Sequence, residues 1–232
     1  MKDKKAEQNA AKEKHREQLK ANRRAESSLD RPTPVLIEKP TILIVCEGEN
    51  TEPSYFKQFR LSSATIKAVG EGYNTTSLVN RALQLANKGK YEQVWCVFDK
   101  DDFNNNSFND AIKIAEANRF GVAYSNQSFE YWIILHFEDH QGGNMPRIDY
   151  DIKINKLLKP YNLKYEGNKS KLITEDIFQL LNDIDTDTGK ERVKLAIKRA
   201  ERNYNQFDHT NPAIEESSTT VFKLVSELLK YV

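Results

Sequence analysis

An α/β fold built on a parallel sheet is predicted for this 232-residue chain by three observations. Short, continuous apolar runs of strand length recur along residues 41–125, helical stripes alternate with them, and acids follow directly on two of the most apolar runs. The order β-α-β-α-β-α-β-α implies about four parallel strands flanked by helices, joined by crossovers.

The first run is Thr41-Ile42-Leu43-Ile44-Val45-Cys46, a strand buried on both faces, and it ends in Glu47-Gly48. Thr51, Glu52 and Pro53 then open a helix with a capping hydroxyl, an acid near the positive end of the dipole and a proline in the first turn. Tyr55, Phe56 and Phe59 form its buried face. A weaker strand is predicted over Thr65 to Val69, followed by a helix over Ser77 to Asn87 that stops at Gly89. Gln93-Val94-Trp95-Cys96-Val97-Phe98 is the next buried strand and runs into Asp99-Lys100-Asp101-Asp102. Ser107 is expected to cap a helix over Phe108 to Asn118, Val122 to Ser125 to form the fourth strand, and Phe129 to Phe137 a short apolar helix.

From about Ile148 the strand signal ends. Helical stripes remain around Ile173 to Leu181, Val193 to Tyr204 and Val221 to Val232, with Ser217 or Ser218 capping the last. The division expected is a tail and proline-containing linker over 1–40, an α/β domain over 41–147 and a helical C-terminal subdomain over 148–232 packed on it.

Charge narrows the partners. Residues 1–31 hold 10 Lys/Arg against 6 Asp/Glu, while the whole chain carries only +1, so residues 32–232 are net acidic. A basic tail with almost no apolar residues buries no face and reads as a mobile segment. An acidic body does not attract polyanions indiscriminately; a nucleic-acid substrate would need cations, the tail or a partner to approach. No apolar run approaches the roughly 18 residues that span a bilayer, and the basic N-terminus precedes no signal-peptide core. Cys46 and Cys96 lie inside strand runs and read as reduced core thiols of a cytoplasmic protein.

In a parallel sheet, functional groups gather beyond the carboxyl ends of the strands, where strand order reverses. Glu47, Asp99 and Asp101 occupy such ends, and converge if the first and third strands are neighbours. Close, partly desolvated carboxylates raise one another's pKa unless a cation neutralises them, and an all-oxygen set favours Mg²⁺ or Mn²⁺ over zinc. Each acid alone also fits a helix cap or a solvated turn. His136 and His140 have helical i,i+4 spacing but no third ligand type nearby.

Three motifs carry a resemblance: Ile44-Val45-Cys46-Glu47-Gly48-Glu49-Asn50-Thr51-Glu52-Pro53; Val97-Phe98-Asp99-Lys100-Asp101-Asp102-Phe103; and Ser125-Asn126-Gln127-Ser128-Phe129-Glu130-Tyr131-Trp132 with Leu135-His136-Phe137. Together they resemble the RloB family. The resemblance implies a Toprim-like fold and a place in phage defence and abortive infection beside an ATPase of the AAA or ABC type. It departs from the family where Ser-Asn-Gln-Ser replaces Ser-Asn-Pro-Cys, and where residues intervene between Pro212 and Ser218. By similarity to Toprim enzymes, Glu47 is a metal ligand or general base, and Asp99 and Asp101 hold Mg²⁺. Similarity to OLD-type nucleases makes Ser128 and Glu130 ligands of a second ion, with Glu52 as a further acid. Lys169 or Lys171 would stabilise developing charge.

The leading expectation is a Mg²⁺- or Mn²⁺-dependent nuclease using one or two ions on DNA or on tRNA and other RNA. The alternatives are a non-catalytic sensor or binding module that regulates its ATPase, and a HAD-like phosphatase with Asp99 as nucleophile. Assembly into a homo-oligomer stays open.

Overall fold

The computed structural model describes residues 10, 12–18, 20, 39–68, 75–101, 103–141, 143–167 and 169–232. Residues 1–38 and 39–232 form two separate units. In the first, 12–18 are helical and exposed. The expectation of a mobile tail and linker otherwise falls outside the described residues.

The second unit holds one five-stranded sheet of order β2-β1-β3-β4-β5. The strands are β1 (Ile42–Cys46), β2 (Ala64–Ala68), β3 (Gln93–Asp99), β4 (Gly121–Asn126) and β5 (Ser218–Thr219). The first four pair in parallel, as the sequence predicts, and β5 pairs antiparallel to β4 through Ser125–Thr219 and Asn126–Ser218. β1 lies between β2 and β3: the chain moves to one side for β2 and crosses to the other for β3. Strand order therefore reverses between β1 and β3.

Side-chain alternation along the strands separates two layers. Ile42, Ile44, Cys46 and Val97 join one core with α1 (Thr51–Lys57), α4 (Glu130–Ile134) and the later helices α5 (Arg147–Leu158), α6 (Glu175–Asn182), α7 (Arg192–Tyr204) and α8 (Val221–Leu228). Leu43, Val45, Cys96 and Phe98 face α2 (Thr75–Ala86) and α3 (Asn105–Ala117). The two cysteines are free and buried in different cores. Beneath the strand ends Tyr55 meets Phe56, Phe59, Phe129 and Phe178 edge to face at 5.3–5.7 Å. This aromatic cluster ties α1, α4 and α6 together and fixes where α1 and α4 begin.

Four local expectations are corrected. The strand signal does not end at Ile148: Ser218-Thr219 adds a fifth strand, so the C-terminal segment completes the sheet as well as covering it. Two residues are too few for an alternation pattern to register. Neither Ser217 nor Ser218 caps the last helix; its N-cap is Thr220, while Thr219 Oγ1 accepts the Val221 N–H at 3.2 Å. The helix after β3 begins at Asn105 and is capped by Asn104, whose side chain accepts the Asn106 N–H at 2.8 Å, so Ser107 lies inside it. Thr51 is already helical; its hydroxyl meets Tyr165 OH at 3.0 Å instead of capping α1.

Helix α5 was not foreseen. It buries Tyr150, Ile154 and Leu158 at i,i+4 spacing while Ile148 and Ile152 stay exposed. With apolar residues on both sides, the single stripe that marks an amphipathic helix is blurred.

Candidate functional site

The site grows from the β1–β3 pair. The register places Cys46 opposite Val97, so both chains leave the sheet together. The Glu47 N–H donates to Val97 O at 2.9 Å, and Glu47 Oε2 accepts the Asp99 N–H at 3.4 Å. Asp99 is 9% exposed, and its Oδ2 accepts the Phe129 N–H at 3.0 Å, which ties β3 to the start of α4. The structure therefore brings Glu47 and Asp99 together at the reversal point. Burial, with a smaller push from Glu52, raises the Glu47 carboxyl from 4.5 to about 7, against the pull of the Asp99 N–H. Glu47 Oε1 is buried and makes no hydrogen bond among the described residues.

Asp101 sits in the turn beyond β3 with a left-handed backbone, φ 40°, and its N–H donates to Gln127 O at 3.1 Å. Between the two aspartates, Lys100 turns inward. It is buried, and its ammonium donates to the carbonyls of Asp101 and Phe103. Lys100 thus holds the acidic turn in shape, a role its position in an Asp-Lys-Asp run did not reveal.

A second group of acids lies beside the first. Glu52, 6% exposed, folds back over Gly48: a Cβ there would come within 2.4 Å of Glu52 Oε2, so only glycine lets the carboxylate lie so close to the turn. Burial raises the Glu52 carboxyl and the charge of Glu130 adds to the rise, while backbone N–H groups and Lys171 oppose it. Glu130, 8% exposed, is fully engaged: Ser128 Oγ donates to its Oε2 and Tyr165 OH to its Oε1, both at 2.7 Å. Tyr165, missed in the sequence, thereby joins the loop after α5 to both Thr51 and Glu130. No periodicity marks a lone tyrosine in a loop.

The two lysine candidates separate. Lys171 borders a cavity of about 480 Å³ with Ser128 and Glu130. Lys169 is exposed, and its backbone N–H bonds to Glu166 O at 3.0 Å. Of the histidines, His136 is held in the core by Trp132, with its Nδ1 at 2.9 Å from Trp132 O, and burial lowers its pKa to about 3. His140 Nδ1 meets Tyr131 OH at 3.2 Å.

The donor set is all oxygen, and two of its carboxyls are held with raised pKa by desolvation and mutual charge. Both features fit a hard divalent cation, which removes that repulsion. Glu47 Oε1 is the oxygen best placed to accept one. Among the described residues, however, no three of His, Cys, Asp or Glu lie close enough together to hold a metal ion.

Half-buried Glu47 and buried Asp99 thus lie at the crossover of a mostly parallel α/β sheet, the strand-end position at which such sheets bind ligands. The chain belongs to the RloB-like protein family, whose model matches residues 42–228. No curated protein and no solved structure matches the chain. Among the described residues no helix is long and apolar enough to cross a membrane.

Proposed function

We propose that this chain is a Toprim-type, divalent-metal-dependent nuclease that hydrolyses phosphodiester bonds of DNA or RNA, acting in phage defence beside an ATPase partner. The single observation that carries this reading is the Glu47–Asp99 pair: a half-buried and a buried carboxylate linked through the Asp99 N–H, which Glu47 Oε2 accepts at 3.4 Å, with Glu47 Oε1 receiving no hydrogen bond among the described residues. Mg²⁺ or Mn²⁺ bound there would supply Lewis acidity toward a phosphoryl oxygen and lower the pKa of a water. Glu47 and Asp99 would hold the ion, with Asp101 supporting from the turn. If the ion is held by the aspartates instead, Glu47, whose carboxyl burial raises to about 7, is suited to take a proton from attacking water. Glu52 would supply a donor for a second ion, which Glu130 and Ser128 could join by giving up the hydrogen bonds they make with each other and with Tyr165, and Lys171 borders the cavity beside Ser128 and Glu130 to meet phosphate charge.

The test is cleavage of DNA and tRNA with Mg²⁺ or Mn²⁺, with and without the ATPase partner, in wild type, Glu47→Ala and Asp99→Ala. Metal-dependent cleavage lost in both variants supports the reading; equal cleavage in all three sinks it.

A second reading is favoured by one observation, the absence among the described residues of any metal-sized group of three acids. In it the chain is a non-catalytic module that binds and regulates its ATPase. Tight partner binding without measurable Mg²⁺ affinity would select it.

A further inference from the structure

The cavity of about 480 Å³ beside Glu130 falls within the roughly 300–1,000 Å³ range of small-ligand sites. Its wall has three kinds of surface. Lys171 supplies a cation, and Ser128, Glu130 and Asp151 supply hydrogen-bonding oxygens. Ile148 and Ile152, one turn apart on α5, supply an aliphatic face although they are 77% and 66% exposed. Tyr150, itself buried, also lines the cavity. Gly167 closes one side, where a Cβ would collide with the Asp151 carboxylate at 2.0 Å.

Large apolar side chains left in water beside a cation and polar oxygens match the parts of one nucleotide: a flat base, a phosphate and a sugar. A base inside a duplex cannot enter such a recess without leaving its stack, whereas a single strand offers it at little cost. We propose that this cavity holds one unstacked nucleotide of a single-stranded nucleic acid, its base against Ile148 and Ile152 and its phosphate toward Lys171. The proposal rests on the nuclease reading and narrows its substrate to single strands, loops or extruded bases.

The experiment measures fluorescence anisotropy of the full chain with a labelled single-stranded oligonucleotide and with its duplex, using Ca²⁺ in place of Mg²⁺. Wild type is compared with the Ile148→Ser/Ile152→Ser double variant. Both side chains are exposed, so thermal melting should match wild type. The expected result is tighter binding of the single strand than of the duplex, weakened about tenfold in the double variant. Unchanged affinity in the double variant, equal affinity for duplex, or no binding of the single strand overturns the subsite. The two readings fail separately. A wild type that cleaves with Mg²⁺ while the double variant keeps full affinity refutes the subsite alone. Single-strand binding through Ile148 and Ile152 with no cleavage under any divalent ion refutes the nuclease and leaves the subsite standing.

Discussion

Two groups of buried or half-buried carboxylates lie near the same strand ends, and they differ in how their oxygens are engaged. In the Glu47–Asp99 group, Glu47 Oε2 and Asp99 Oδ2 each accept a backbone N–H, and Glu47 Oε1 receives none among the described residues. In the Glu52–Glu130 group both oxygens of Glu130 accept side-chain hydroxyls, from Ser128 and Tyr165. In the first group, desolvation raises the Glu47 carboxyl and one of its oxygens has no hydrogen bond among the described residues. In the second, Glu130 is satisfied from within and braces α1, α4 and the loop after α5 against each other. Burial alone does not distinguish a reactive acid from a structural one; the identity of its donors does.

The largest effect expected from this contrast is on catalysis. Glu47→Ala or Asp99→Ala should lower metal-dependent cleavage by more than about a hundredfold, the scale of losing an acid–base or ligand group. Tyr165→Phe, measured in the same assay, should cost much less. On stability the order reverses. Tyr165→Phe removes a hydroxyl from a buried carboxylate and should cost about 1.5–3 kcal/mol in chemical denaturation, whereas metal-free Glu47→Gln should be neutral or stabilising at pH 8. A variant pair with the opposite ranking would erase the distinction between the two groups.

Gly48→Ala sharpens the comparison from the other side. A methyl group there displaces the Glu52 carboxylate, with an expected cost of about 1–3 kcal/mol by denaturant melting. A fully stable variant would show that Glu52 is free to move away.

The smallest effect is on pH dependence. The folded Glu47 carboxyl titrates near 7 against an ordinary value of 4.5, so the folded state binds more protons than the unfolded chain between those values. Its contribution to metal-free stability is complete below about pH 4.5 and lost as pH rises through about 7. Glu52, also raised, acts in the same direction. The melting temperature of the metal-free protein should therefore fall from pH 6 to pH 8, and Glu47→Gln should flatten that fall. A melting temperature that rises over the range in wild type would contradict the assignment.

Much of this was legible in the sequence, for physical reasons that differ by residue. The β1 run is apolar at every position because both its faces are covered, and the acid following it needs no side-chain contact to be located. The same holds for β3 and Asp99. The adjacency of β1 and β3, on which the convergence of the acids depends, stayed open in the sequence, and the strand pairing supplies it. Tyr165 and Lys100 were not legible, since one acts through contacts between remote segments and the other within an irregular turn. β5 was too short to signal, and α5 carries two apolar faces, one of which the fold leaves uncovered.

The central claim is that Glu47 and Asp99 share a cation. Crystals grown with Mn²⁺ and measured at its absorption edge test this most directly. The account predicts an anomalous peak within coordinating distance, about 2.0–2.3 Å, of oxygens from both residues. A peak that touches neither carboxylate, or none at saturating Mn²⁺, would contradict it.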